Sequence, residues 1–211
     1  TVVGQAGNGL ETSCVAMLVT LGLGRFVREC GPDGQGRRQG IAVLLLALAS
    51  LTRMDTVQVL GGAWFLKTVW CGPIELRPRL RDTAILLAAL LLPALYRWLL
   101  YGTPVPNPAS AKFGLETDVR VYKAGVHYLL DWLRTDLGAP LLVFGLCASL
   151  AKDRRCQALV VLCCGWMFYV VVSGGDHMPY HRFVAPMFPS LVTMVFVGVQ
   201  HTLASSSDVD D

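Results

Sequence analysis

The apolar residues of this chain are gathered into runs too long and too free of charge for an ordinary soluble core. Ile41–Leu51, Ala84–Leu100, Ala158–Val172 and Val184–Val199 hold few or no charged residues. A helix that crosses a bilayer needs roughly 20 such residues, and about 17 suffice. Over the chain 54% of residues are hydrophobic and 16% charged, against about a quarter charged in soluble domains. A soluble α/β core would break its apolar segments into shorter strands between charged helices. The patterning therefore predicts an all-α, polytopic membrane protein.

Seven candidate spans follow: Leu10–Phe26, Ile41–Leu51, Thr56–Trp70, Ala84–Tyr101, Ala139–Leu150, Ala158–Ser173 and Val184–Leu203. Two are short enough to be half-spanning. Three short connections are basic, with Arg25, Arg28, Arg37 and Arg38 in the first, Arg77, Arg79 and Arg81 in the second, and Lys152, Arg154 and Arg155 in the third. Basic short loops stay cytoplasmic. An even number of crossings must then separate each pair, so Ile41–Trp70 has to go out and return, breaking at Thr52-Arg53-Met54-Asp55. The same count places Thr1 outside and Asp211 inside.

The one long connection, Tyr101 to Gly138, opens with prolines that exclude a helix. From about 118 to 137 a helix is predicted. Val119, Tyr122, Val126, Leu129, Leu130, Leu133 and Leu137 recur at helical spacing, and Arg120, Lys123, His127, Asp131 and Arg134 take the other side. Such a stripe suits a helix in the membrane interface, or one packed on the rest of the protein. Residues 1–204 form one helical membrane domain, and 205–211 is a polar tail with too little apolar surface to fold. The chain opens on Thr1 with no signal-peptide pattern and is expected to be a piece of a longer protein. The seven cysteines show no C-x-x-C spacing and predict no disulfide framework or metal site.

The threading brings four polar clusters to the outer side: Glu11 at the first span, Arg53 with Asp55 at the first turn, Asn107 to Lys112 after the fourth span, and Asp176 to Arg182 before the last. Ionisable groups at membrane depth mark functional sites more often than structural ones. Asp176 follows two glycines that let the backbone turn tightly, and its carboxylate can orient a hydroxyl, bind a divalent cation or cap a helix. Arg182 can grip a phosphate in a bidentate fork or snorkel to headgroups. Lys112 is a second phosphate ligand or a solvated loop lysine. His177 and His181 stand four apart, but Pro179 between them disfavours a shared helical face, so they read as proton-handling or hydrogen-bonding groups. Arg53 and Asp55 read as a structural pair, and Glu11 as a cap or site-lining residue.

These clusters resemble those of the polytopic GT-C class glycosyltransferases, and within it the bacterial terminal arabinofuranosyltransferase-like branch. The resemblance rests on Gly9 to Thr12, on Arg53-Met54-Asp55, on Tyr101, Gly102, Pro106, Asn107, Ala111 and Lys112, and on Gly174, Gly175, Asp176, Met178, Arg182, Phe183 and Pro186. Met54 stands where the branch has Pro, and Pro108 where it has Thr. The resemblance implies inverting transfer from a polyprenyl-phosphate sugar to a cell-envelope glycan or lipid acceptor, outside the bacterial inner membrane. Asp176, His177, His181, Arg182, Lys112, Asn107, Glu11, Arg53 and Asp55 would line the donor side. The general base would sit in a loop before Thr1. No resident cofactor is implied beyond a divalent cation at the carboxylates, and no nucleic acid is a partner. The rival classes are a transporter or channel, whose charges would line a path within the spans, and a membrane assembly subunit with no site.

Overall fold

The computed structural model describes residues 10–30, 40–70, 76–104, 119–135, 154–175, 183–188, 190–192 and 194. They are helical throughout, with no strand among them. The helices are α1 (Leu10–Glu29), α2 (Ile41–Thr52), α3 (Val57–Trp70), α4 (Leu76–Tyr101), α5 (Val119–Thr135) and α6 (Arg154–Val172). A 3-10 turn, Met54–Thr56, joins α2 to α3, and another, Ala185–Met187, leads into helical backbone at 188, 190–192 and 194. The predicted span Ala139–Leu150 and most of Val184–Leu203 lie outside the described residues.

α1 shows why these segments pack. Thr12, Val15, Ala16, Val19, Leu23, Phe26 and Glu29 are buried at spacings of three and four, one face of a 3.6-residue helix. That face meets α2, where a Cβ on Gly22 would come within 2.8 Å of the Leu46 side chain. The break in Ile41–Trp70 falls where charge counting requires it. Arg53 is extended (φ −138°, ψ 116°), and its carbonyl accepts from the backbone N–H and the hydroxyl of Thr56.

The two arms fold back on each other, as the charges at their far ends demonstrate. Lys67, near the end of α3, donates to Glu29 at 2.7 Å and to Asp82 of α4 at 2.8 Å. Glu29 also accepts the N–H groups of Gly40 and Ala42 at 3.1 Å, capping α2 from another helix. Arg81 donates to the far oxygen of Asp82. All three core members are buried, so four helix ends are pinned at one end of the bundle, called the basic end here because the arginine-rich connections lie there. The sequence offered no pairing for Lys67.

α4 is long and apolar enough to cross a membrane. At 1.5 Å per residue its 26 residues reach ~39 Å, more than the ~30 Å hydrocarbon layer. Only 6% of its most apolar window is buried within the protein. Arg77 and Arg79 mark one end, and exposed Tyr96, Trp98 and Tyr101 the other, as interfacial anchors do. The arginines read as a loop in fact begin the helix. Pro78 is tolerated in a first turn, and the exposed Arg77 and Arg79 can keep their charged heads in water there. α2 and the 157–172 part of α6 are shorter apolar helices.

Cys30, directly after α1, is disulfide-bonded. The cysteine spacing contains no local signal for that bond. Cys14, Cys163 and Cys164 are free thiols. The bond lies at the basic end, and disulfides persist in oxidising compartments whereas basic short loops stay in the cytoplasm. The two rules assign that end to opposite sides.

Candidate functional site

The other end of the bundle is built around Phe183. Its backbone N–H donates to the Tyr128 hydroxyl at 3.2 Å, and its carbonyl accepts from Trp166 Nε1 at 2.6 Å. Its ring packs against Tyr128 and Tyr169, with centroids 6.5 and 6.4 Å away, and the Arg53 guanidinium stands 5.5 Å from its centroid. A residue held by two backbone hydrogen bonds, two rings and a cation has little freedom.

Gly174 and Gly175 end α6. Gly175 N–H donates to Val170 O and Gly174 N–H to Val171 O, the paired bonds of a Schellman cap, with φ of 76° and 70°. The pair has a second reason to be glycine. A Cβ on Gly174 would lie 2.8 Å from the Val121 side chain, and one on Gly175 2.7 Å from Tyr128. The close approach made possible by these glycines is thus to α5. The tight turn expected of the two glycines is present, as a helix stop packed against α5.

Tyr128 therefore touches both neighbours of the segment 176–182, Gly175 at its start and Phe183 at its end. Asp176, His177, His181 and Arg182 belong to that segment and lie outside the described residues, as do Asn107 and Lys112. Covalent geometry still limits them: the Cα of Arg182 is one peptide unit, ~3.8 Å, from that of Phe183, and the Cα of Asp176 is as close to that of Gly175.

Arg53 and Asp55 are described in full. They form a two-pronged pair, Nε to Oδ1 at 3.2 Å and Nη2 to Oδ2, with both side chains almost enclosed. The guanidinium is neutralised by its own carboxylate and stacked on Phe183, so it positions the turn rather than offering a free cation. Glu11 is in the first turn of α1. α1 runs against α2, which puts that turn at the Phe183 end, and the Ala185–Met187 turn packs on α1. The end of α4 at Tyr101, where the Asn107–Lys112 connection begins, points the same way, because Asp82 fixes its start at the basic end. The first turn of α1, the Arg53 turn, the end of α4 and the residues flanking 176–182, Gly175 and Phe183, thus lie at one end of the bundle, where Arg53 meets Phe183.

Three further polar groups belong to this end. Ser13 in the first turn of α1, Gln58 in the first turn of α3 and Ser190 after the 3-10 turn each bury a polar atom with no hydrogen-bond partner among the described residues. Buried polar atoms are normally satisfied, so these are available to a ligand, water or the remaining chain. Tyr128, Trp166 and Tyr169 were not singled out from the sequence. The signal for them was an aromatic ring with a polar tip inside an apolar run, which is common in cores. No group of three metal-ligating side chains occurs among the described residues. Comparison with known proteins assigns no family to this geometry: no family model matches the chain, and neither a curated protein nor a solved structure does.

Proposed function

We propose that the chain is part of an integral-membrane glycosyltransferase of the GT-C type that uses a polyprenyl-phosphate sugar at the Phe183 end of the bundle. The observation that supports this best is the tethering of 176–182. An acid, two histidines and an arginine occupy seven residues whose neighbours are clamped to Tyr128, beside the buried Arg53–Asp55 pair. A site at the ends of spanning helices can receive a lipid-borne donor and a water-borne acceptor together. In the reaction the acceptor oxygen bonds to the anomeric carbon and its proton passes to a base. The bond from that carbon to the phosphate oxygen breaks, and polyprenyl phosphate leaves with the electron pair. Arg182 and Lys112 would hold the charge that develops on the phosphate.

Because Arg53 is already paired with Asp55, Arg182 has the larger share of that task. Arg182→Lys in the full-length protein should lower transfer from a polyprenyl-phosphate sugar tenfold or more, on the order of 1.4 kcal/mol, since a point charge cannot reproduce a two-pronged grip. Normal transfer at normal membrane levels would return Arg182 to headgroup contact.

The seven-span threading is tested separately. Arg79 and Thr103 flank the apolar part of α4 and are both exposed. With the threading argued from the basic loops, Thr103→Cys reacts with an impermeant maleimide on intact cells and Arg79→Cys reacts only after lysis. Reversed labelling would follow the Cys30 disulfide instead and move the Phe183 end to the cytoplasm.

A transporter reading draws on the buried Glu29, Lys67 and Asp82. Each of those charges is matched by a partner within 2.8 Å, which suits a fixed clamp better than a path that must release an ion.

A further inference from the structure

We infer that α5 is a docking surface for anionic phospholipid headgroups, with Lys123 and Arg134 as its cations, His127 in the same strip as a hydrogen-bond donor, and Val119, Val126 and Leu130 as its apolar edge. The inference rests on the membrane-spanning reading and not on glycosyl transfer.

The helix is split into two faces by contacts rather than by hydropathy alone. Val121, Gly125, Tyr128 and Trp132, at spacings of four, three and four, face the protein. Val121 meets Gly174, Gly125 meets Val171, Tyr128 meets Gly175, and Trp132 is buried. Two turns of α5 thus remain over the last turn and cap of α6, so α5 crosses the end of α6 instead of running along it. The approach is as close as a helix pair permits, because a Cβ on Gly125 would lie 2.3 Å from the Val171 carbonyl oxygen. A helix laid across the end of an apolar helix lies at the level where that helix leaves the hydrocarbon.

The opposite face has two adjoining strips. Val119, Val126 and Leu130 are 62%, 42% and 41% exposed, although each is apolar. Lys123, His127 and Arg134, at spacings of four and seven, are exposed in the next row round the helix, with Arg120 and Asp131 exposed beside them, so that three basic side chains stand against one acid. Water would be a poor partner for the first strip and hydrocarbon for the second. A headgroup layer suits both, with phosphates against the cations and glycerol and upper acyl carbons against the valines and leucine. Charge complementarity selects an anionic headgroup over a zwitterionic one. A free phosphate would satisfy the cations and leave the apolar edge in water.

The test uses the whole chain in nanodiscs of phosphatidylcholine alone and of phosphatidylcholine with an equal share of phosphatidylglycerol. Native mass spectrometry counts the phosphatidylglycerol molecules retained, and a polarity-sensitive dye on Val126→Cys reports the surroundings of the apolar edge. The expected result is selective retention of phosphatidylglycerol, lost in high salt, with a blue-shifted dye quenched by brominated lipid. Lys123→Gln with Arg134→Gln should weaken that retention roughly thirtyfold, at about 1 kcal/mol per basic residue near an anionic surface. Both side chains are exposed, so the melting temperature in phosphatidylcholine should stay that of the wild type, which separates lost binding from misfolding. Equal retention by wild type and variant would overturn the inference. So would displacement of the lipid by soluble glycerophosphate at matched concentration, which would mark a free-anion site. A dye shielded only when two chains share a disc would also overturn it, since a second copy would then cover this face.

Discussion

Lys67→Met should destabilise the protein by about 3–5 kcal/mol, the usual loss when one member of a buried ion pair is removed. The ammonium stands between Glu29 and Asp82, at 2.7 and 2.8 Å, and both carboxylates are shut off from solvent. Without it two buried anions are left facing each other. Glu29 also caps the start of α2, so the damage spreads to the packing of α1, α2, α3 and α4. The triple change Glu29→Gln, Lys67→Met, Asp82→Asn should recover most of the loss, because uncharged replacements of similar shape no longer need a counterion. Unfolding in detergent micelles measures both. A Lys67→Met protein as stable as wild type would mean that the clamp does not form. The cluster is at the end of the bundle away from Phe183, so the fraction of Lys67→Met that does fold should keep its transfer activity.

Gly125→Ala should be nearly as damaging, against the usual trend. In an exposed helix interior this change gains up to about 1 kcal/mol. Here the new methyl group would sit 2.3 Å from the Val171 carbonyl oxygen and 2.7 Å from its Cα, and backbone cannot turn aside as a flexible side chain can. Overpacking of this kind costs about 1–3 kcal/mol, and here it prises α5 from α6. Gly61→Ala and Gly165→Ala are internal controls, since a Cβ at either position meets nothing within 4 Å. They should be neutral or mildly stabilising in the same thermal scan. Because Tyr128 is on the same face of α5, Gly125→Ala should also loosen the anchors of 176–182 and lower transfer. Three glycine variants of equal stability would contradict the α5–α6 contact.

The helical organisation was largely legible in the sequence because it follows from one-dimensional quantities. Apolar runs marked α1 to α4 and α6, and helical spacing marked α5 to within two residues at each end. Parity of the basic loops located the break at Arg53, where no proline or glycine announces one. The boundary of α4 was misplaced because three arginines resemble a loop, although arginine is compatible with the first turns of an interfacial helix. The Lys67 clamp could not be read, since its partners lie 38 and 15 residues away. Of the polar clusters, the sequence marked Arg53 and Asp55 as a structural pair, and their side chains are paired. It missed the aromatic clamp on Phe183, whose bonds span 17 and 55 residues. The tight turn expected of Gly174 and Gly175 is present, but their packing against α5 depends on contacts distant in sequence.

The central claim is that the segment between Gly175 and Phe183 does chemistry, and Asp176→Asn tests it most directly. The change keeps the size and helix-capping ability of the side chain and removes only its charge. Transfer from a polyprenyl-phosphate sugar by the full-length protein would be measured beside its thermal stability. The account predicts loss of most transfer with stability unchanged, because the carboxylate charge is needed to orient the acceptor or hold a cation. Wild-type transfer by Asp176→Asn would contradict it and reduce the residue to a helix cap.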